Sequence, residues 1–170
     1  DDMIHRRNLL GAGALGLAGA AAAFANPEKA ADLAAPAIAR NRRRFNMVTT
    51  WPKGLPGLGE AAERVAQRIQ TMSDGLMEVK VYAAGELVPP FECFDAVSNG
   101  SADMYHGAEY YWTAKSTGFP FFTAVPFGMT AQEIMGWIDF GGGQKLWDEL
   151  SGQFGIKAFQ AANTGHQMGG

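Results

Sequence analysis

Between residues 44 and 112 the apolar period switches repeatedly between two and about three and a half, and this alternation constrains the fold more than any other feature of the chain. "RFNMVTTW", residues 44–51, reads as a strand ending at Pro52. In "GLPGLGEAAERVAQRIQTMSDG", Leu58, Ala62, Val65, Ile69 and Met72 recur on one helical face while Glu60, Glu63, Arg64, Gln67 and Arg68 take the other. Asp74 and Gly75 close that helix. Met77, Val79 and Val81 then alternate with Glu78, Lys80 and Tyr82, the pattern of a strand with one buried face. Pro89-Pro90 starts a short helix whose Phe91, Phe94 and Val97 point one way, and Asn99-Gly100 ends it. "SADMYHGAEYYW" reads as a third strand running into an aromatic loop. Strand, helix, strand, helix, strand implies right-handed crossovers and an α/β fold with a mainly parallel sheet.

Further on the pattern loosens. "FPFFTAVPFGM" is apolar but twice broken by proline, as in a packed connection or short strands. Thr130 and Glu133 form a capping box ahead of a helix through Ile134, Trp137 and Ile138. Gly141, Gly142 and Gly143 interrupt it, and Leu146, Trp147 and Leu150 continue on another helix. Residues 156–165 read as one more strand and its exit loop.

The opening of the chain belongs to a different class of segment. Gly11, Gly13 and Gly16 complete a G-x-G-x-x-G, but His5-Arg6-Arg7-Asn8 before them is no strand, and Asp32, the downstream acid, lies in an Ala/Pro stretch. Paired arginines, an uncharged Gly/Ala-rich run and small residues at its end fit a twin-arginine export signal instead. Cleavage after Ala25 or Ala39 would set residues 1–39 apart as signal and linker and leave 40–170 as the folded part. The run is too weakly apolar for a membrane span of about 20 residues, so a periplasmic location is expected.

The net charge of −3 gives no electrostatic reason for a nucleic-acid partner. Arg40, Arg42, Arg43 and Arg44 read as a solvated flank just before the first strand. The single cysteine, Cys93, has Phe91 and Phe94 nearby and no basic neighbour, so it reads as a buried, inert thiol. His5, His106 and His166 have no zinc spacing, and neither a G-x-S-x-G elbow nor a G-x-x-x-x-G-K-[ST] phosphate loop is present.

In an open α/β sheet the ligand crevice forms outside the carboxyl ends of the strands. The loops there, "TTWPKG", "AAGELVPP", "HGAEYYW" and "ANTGHQMGG", carry Trp51, Glu86, Tyr110, Tyr111, Trp112, Asn163 and Gln167. Rings and neutral amides suit orienting a small ligand better than breaking bonds. The rival reading is an exported enzyme acting on a small organic acid in the same crevice, with Glu86, taken as the crevice's one carboxylate, or His106 as base.

"TTWPKGLPGLG", "AAGELVPPFECFDAVSNGSADMYHGAEYYW", "FFTAVPFGMTAQE", "GGGQKLWDEL" and "AANTGHQMGG" resemble, in order and spacing, the extracytoplasmic solute-binding proteins of TRAP transporters, in the branch that binds 2-oxo acids or lactate with a metal ion. The resemblance covers residues 45–170. It implies a periplasmic-binding-protein-like α/β fold of two lobes with mostly parallel sheets, hinged around a monocarboxylate that is handed to a TRAP permease without chemistry. It further implies that Tyr110 and Tyr111 line the pocket, that Asn163 bonds the acid, and that Gln167 offers its amide oxygen to Na+ or Ca2+. A homodimer of the full-length protein stays open. In relatives the arginine that grips the carboxylate, and further metal ligands, follow the stretch matched here. The chain therefore reads as the first lobe and the start of the second, expected to bind its ligand poorly alone. His166 stands where the resemblance leads one to expect a small aliphatic residue.

Overall fold

The computed structural model describes residues 41–165. The expected signal of residues 1–39, with Gly11, Gly13 and Gly16, lies outside the described residues, as do Arg40, His166 and Gln167.

The central strand, β1 (Arg43–Thr49), is flanked by β2 (Met77–Tyr82) and β3 (Met104–His106) in the order β2-β1-β3. Both ladders are parallel, with Met47 opposite Val81 on one side and Met104 on the other, and Thr49 opposite His106. All three strands therefore end at one edge of the sheet. Met47, Val48 and Thr49 are buried while Arg43 and Arg44 are exposed. The basic run thus enters the strand itself instead of stopping before it, and Arg44 Nε donates to Glu78 Oε2 of β2 at 3.0 Å.

Helix α1 (Gly59–Met72) connects β1 to β2 and packs on β2. Its buried positions are Gly59, Ala61, Ala62 and Ala66, with Val65 and Ile69 half-buried. Small side chains let the helix backbone approach the sheet closely; a Cβ on Gly59 would lie 2.6 Å from the Pro52 carbonyl oxygen. Met72, expected on the inner face, is 85% exposed. It lies in the last turn, where the chain is already reversing through Asp74 at φ 52° and Gly75 at φ 73°, and nothing covers it.

A 3-10 turn (Pro90–Glu92) and α2 (Cys93–Ser98) join β2 to β3. Phe94 is fully buried, with Tyr105, Trp112, Phe119 and Phe154 ring centroids between 5.2 and 5.9 Å away. Phe91, expected beside it, is 63% exposed. The tighter 3-10 winding rotates it off the α2 face. Cys93 is buried as expected, and loss of hydration pushes its thiol up to about 11.

β3 is far shorter than the sequence pattern suggests. After His106 the chain passes beneath the Trp112 ring at Gly107, where a Cβ would sit 2.7 Å from Trp112 Cη2, and winds into a 3-10 turn (Glu109–Trp112). A further 3-10 turn (Phe119–Phe122) precedes α3 (Ala131–Phe140) and α4 (Gly143–Gly152). The capping box at Thr130 and Glu133 is present in both directions. Gly142, at φ 85°, makes the break between α3 and α4. Phe122 lies flat between Trp137 and Trp147, at centroid distances of 5.6 and 5.2 Å.

Residues 156–165 form no strand. Ile156 and Ala158 are buried and Lys157 and Phe159 exposed, so the alternation is real. Their backbone turns to α4 in place of a ladder: Ile156 N–H donates to the Ser151 carbonyl at 3.1 Å, and the Ala158 carbonyl accepts from Gln144 Nε2 at 2.9 Å. Among the described residues no helix is long and apolar enough to cross a membrane.

Candidate functional site

The three strand ends are tied into one rim. The Thr49 hydroxyl turns back on its own chain, donating to the Trp51 carbonyl at 2.8 Å and accepting from the Trp51 N–H at 3.2 Å. That kink sets the buried Trp51 ring edge-on to His106, with centroids 5.2 Å apart. Thr50 N–H donates to the His106 carbonyl at 3.2 Å, and Ala84 N–H to the Trp51 carbonyl at 3.0 Å, so the loops after β1, β2 and β3 are linked. The cleft between Trp51, Lys53, Val81 and Glu86 is small and open, about 10 Å³.

The two candidate bases of an enzyme have other occupations. Glu86 is exposed, and its Oε2 accepts from Ala83 N–H at 2.8 Å, closing its own turn. His106 is 7% exposed, and burial lowers its imidazole to about 4, so it is neutral at ordinary pH and shielded by Trp51.

Tyr110 and Tyr111 lie on the 3-10 turn that follows β3, not on the strand, with their rings T-shaped at 4.7 Å. Tyr110 is 38% exposed, and desolvation together with the neighbouring Tyr111 hydroxyl raises its phenol to about 12. Tyr111 is half-buried and rests edge-on against Phe91 at 5.2 Å. Trp112, expected on the crevice wall, belongs to the core: it is 3% exposed and its Nε1 donates to the Phe91 carbonyl at 3.0 Å. Successive residues of so tight a turn point in widely separated directions, so the aromatic trio is split between surface and core.

Glu109, the first residue of this turn, is a second carboxylate in the strand-end loops that the sequence pattern did not single out. It is 5% exposed, accepts from the Tyr105 hydroxyl at 2.8 Å, and its N–H donates to Thr123 Oγ1 at 3.1 Å. Burial pushes the carboxyl up to about 7, against the pull of Tyr105 and of the Trp147 indole N–H. The indole favours the carboxylate without reaching hydrogen-bond geometry, leaving Trp147 Nε1 and Glu109 Oε2 both buried and unpartnered. An acid set between a small residue and a tyrosine pair, in an aromatic stretch, was the signal available.

Asn163 is exposed and lies elsewhere. Its Nδ2 donates to Met135 Sδ of α3 at 3.4 Å, its Oδ1 accepts from Gly165 N–H, and it lines an open cleft of about 130 Å³ with Ala61, Arg64, Val65 and Arg68 of α1. Among the described residues no hydrogen bond joins it to Tyr110 or Tyr111.

Among the described residues no group of three His, Cys, Asp or Glu side chains could hold a metal ion. Sodium and calcium take amide and carbonyl oxygens as well as carboxylates; of the two amides, the Asn163 oxygen accepts from Gly165 N–H, and Gln167 lies outside the described residues.

Residues 47–170 match the family model described as bacterial extracellular solute-binding protein, family 7. A curated relative from Nostoc sp., a monocarboxylate 2-oxoacid-binding periplasmic protein, is 41% identical over 127 residues, which cover 75% of this chain and 35% of the relative. Among solved structures, a TRAP periplasmic solute-binding protein from Colwellia psychrerythraea with bound calcium and pyruvate superposes with a TM-score of 0.73 at 36% identity, covering 75% of this chain and 39% of that one. Another, from Pseudoalteromonas atlantica with bound sodium and pyruvate, gives 0.67 at 37% identity, covering 69% and 36%. The chain thus spans little more than a third of the length of these proteins.

Proposed function

The chain belongs to the bacterial extracellular solute-binding proteins of family 7, and from that premise we propose that it is part of a periplasmic receptor that captures a small 2-oxo or 2-hydroxy monocarboxylate. Sodium or calcium would accompany the acid, as in the pyruvate-bearing neighbours, and a TRAP-type permease would take it up. The metal supplies charge neutralisation and oxygen coordination when bound.

The observation that carries this reading is the tied rim at the carboxyl edge of the sheet, in a chain of this family, with Tyr110 exposed beside it on the turn after β3. Tyr110 and Tyr111 furnish part of the wall, Asn163 bonds the acid's oxygens, and Gln167 gives an amide oxygen to the cation. For Asn163 to serve with the tyrosines, the cleft it shares with α1 has to join the strand-end rim when the receptor closes. Residues 1–39 act as the export leader, by the twin-arginine route, and the mature protein works without catalysis.

Isothermal titration of the intact protein with pyruvate, with calcium or sodium present, tests the reading. Saturable binding and recovery of unchanged pyruvate after denaturation support a receptor. No binding with either cation, or release of a converted product, overturns it.

A further inference from the structure

The described residues hold two apolar clusters of unequal size. The one around Phe94 buries eight side chains, whereas the one around Phe122 buries only four: Phe122, Ile138, Trp147 and Ala158. Helix α3 shows the shortfall. Its sequence, AQEIMGWIDF, is apolar around most of its circumference, yet Ile138 alone is buried. Ile134, Trp137 and Ile138 pack in the cluster, while Met135 and Phe140 stand off that stripe to either side and are exposed, Phe140 at 91%. A helix apolar all round is ordinarily an interior helix.

Phe121, Leu146 and Phe159 are exposed as well, and they belong to the same packed layer. Phe122 stacks between Trp137 of α3 and Trp147 of α4, and residues 156–158 are tied to α4 through Ser151 and Gln144. Phe127, in the segment leading into α3, sits at φ 60°, a conformation that a bulky side chain rarely adopts, and its ring is fully exposed. Among the described residues no burial offsets that strain.

We propose that the layer built from the Phe119–Phe122 turn, α3 and α4 is an intramolecular interface, covered in the whole protein by the part of the family domain that relatives carry outside the stretch matched here. Phe127 and Phe140 are its anchors.

The occupant is argued from the span of the family match. Residues 47–170 match the family, yet the aligned stretch is only 35% of the Nostoc relative and 39% of the Colwellia structure. Most of such a domain therefore lies outside the matched stretch and packs against it somewhere. Burial is favoured where large apolar side chains are already gathered in water. The other exposed apolar residues, Met72 on α1, Leu87 and Phe91, are scattered over separate elements and form no such layer. A segment on the same chain also meets this face at an effective concentration of roughly millimolar order, an advantage that a second copy lacks. This inference rests on family membership alone and holds whatever ligand the receptor takes.

The test compares the 170-residue chain with the same chain continued, after Gly170, by the part of the Nostoc relative that follows the matched stretch. The short chain is expected to light up an apolar dye, anilinonaphthalene sulfonate, and the extended chain to do so several-fold less. Thermal midpoints of Phe127→Asn, Phe140→Ser and Met72→Ser are then measured in both. In the short chain none should fall, and Phe127→Asn should hold or rise, because asparagine tolerates a positive φ. In the extended chain Phe127→Asn and Phe140→Ser should each lower the midpoint by several degrees, with Met72→Ser neutral. If the short chain is unfolded by circular dichroism, the three midpoints in the extended chain decide alone. If the fusion does not fold, the remainder is added as a separate polypeptide, and dye release on mixing that Phe140→Ser abolishes is the supporting result. Equal dye binding by the two chains, or anchor variants that are neutral in the extended one, overturn the inference. So does a Met72→Ser loss as large as theirs. Sedimentation of both chains as dimers that Phe140→Ser dissociates overturns it in favour of a second copy.

Discussion

Trp51 meets His106 edge-on with 5.2 Å between ring centroids, so the residue that bends the chain away from β1 also seals the imidazole that ends β3. The contact joins loop geometry to protonation: the imidazole cannot charge without the indole giving way.

His106 is therefore expected to stabilise the fold toward neutral pH. Its folded value near 4 lies below its ordinary 6.5, so the stabilisation is fully present above about 6.5 and is lost as pH falls through 4. The span amounts to about 3 kcal/mol. Urea unfolding of wild type and His106→Gln between pH 4 and 8 should show that slope only in wild type. An imidazole that titrates near 6.5 by NMR would refute it.

Glu109 has the opposite sign. Its folded value, raised to about 7 from 4.5, makes its contribution greatest below about 4.5 and steadily lost as pH rises through 7, again by about 3 kcal/mol. In Glu109→Gln the unfolding free energy should lose this decline between pH 5 and 8, measured against wild type in the same buffers. Equal slopes in the two proteins would count against a buried, perturbed carboxyl.

Gly107 has no room for a side chain, since a Cβ would meet Trp112 Cη2 at 2.7 Å and Thr50 Cγ2 at 3.1 Å. Gly107→Ala is expected to cost about 1–3 kcal/mol by overpacking. It should also shift Trp112 fluorescence as the indole is pushed from the core. A neutral substitution would mean that the Trp112 ring yields freely.

Tyr110 and Tyr111 should separate binding from stability. Tyr110 is partly exposed, so Tyr110→Ala is expected to weaken pyruvate binding about tenfold, the loss of roughly 1.4 kcal/mol, with little change in thermal midpoint. Tyr111 packs on Phe91 and Trp112, so Tyr111→Ala should lower both. Calorimetric titration and thermal unfolding on the same samples compare them directly.

The elements that sequence could reveal were those with one dominant local cause. The capping box at Thr130 and Glu133, the reversal at Asp74-Gly75 and the break at Gly142 each depend on a few adjacent residues, and each appears where expected. The parallel sheet follows from the alternation of periods, and the structure has it. Errors arose where a distant contact decided the outcome. Met72 keeps helical spacing but lies in the last turn, just before the reversal at Asp74 and Gly75, and stays exposed. Phe91 is turned out by a 3-10 winding that apolar spacing does not register. Residues 156–165 alternate like a strand, but their backbone is taken by Ser151 and Gln144. At the site, the tyrosine pair was visible as a motif, whereas Glu109 depends on Tyr105, Thr123 and Trp147, which lie up to 38 positions away and converge only on folding.

The backbone bonds from Thr50 to His106 and from Ala84 to Trp51 have a kinetic corollary. In the receptor proposed above, an edge whose loops are already stitched together would not need to be arranged by an incoming solute, so little conformational freedom would be surrendered there at the moment of encounter. Arrival at this edge should then be governed by diffusion, and the slow motion in capture should belong to whatever swings across to meet it.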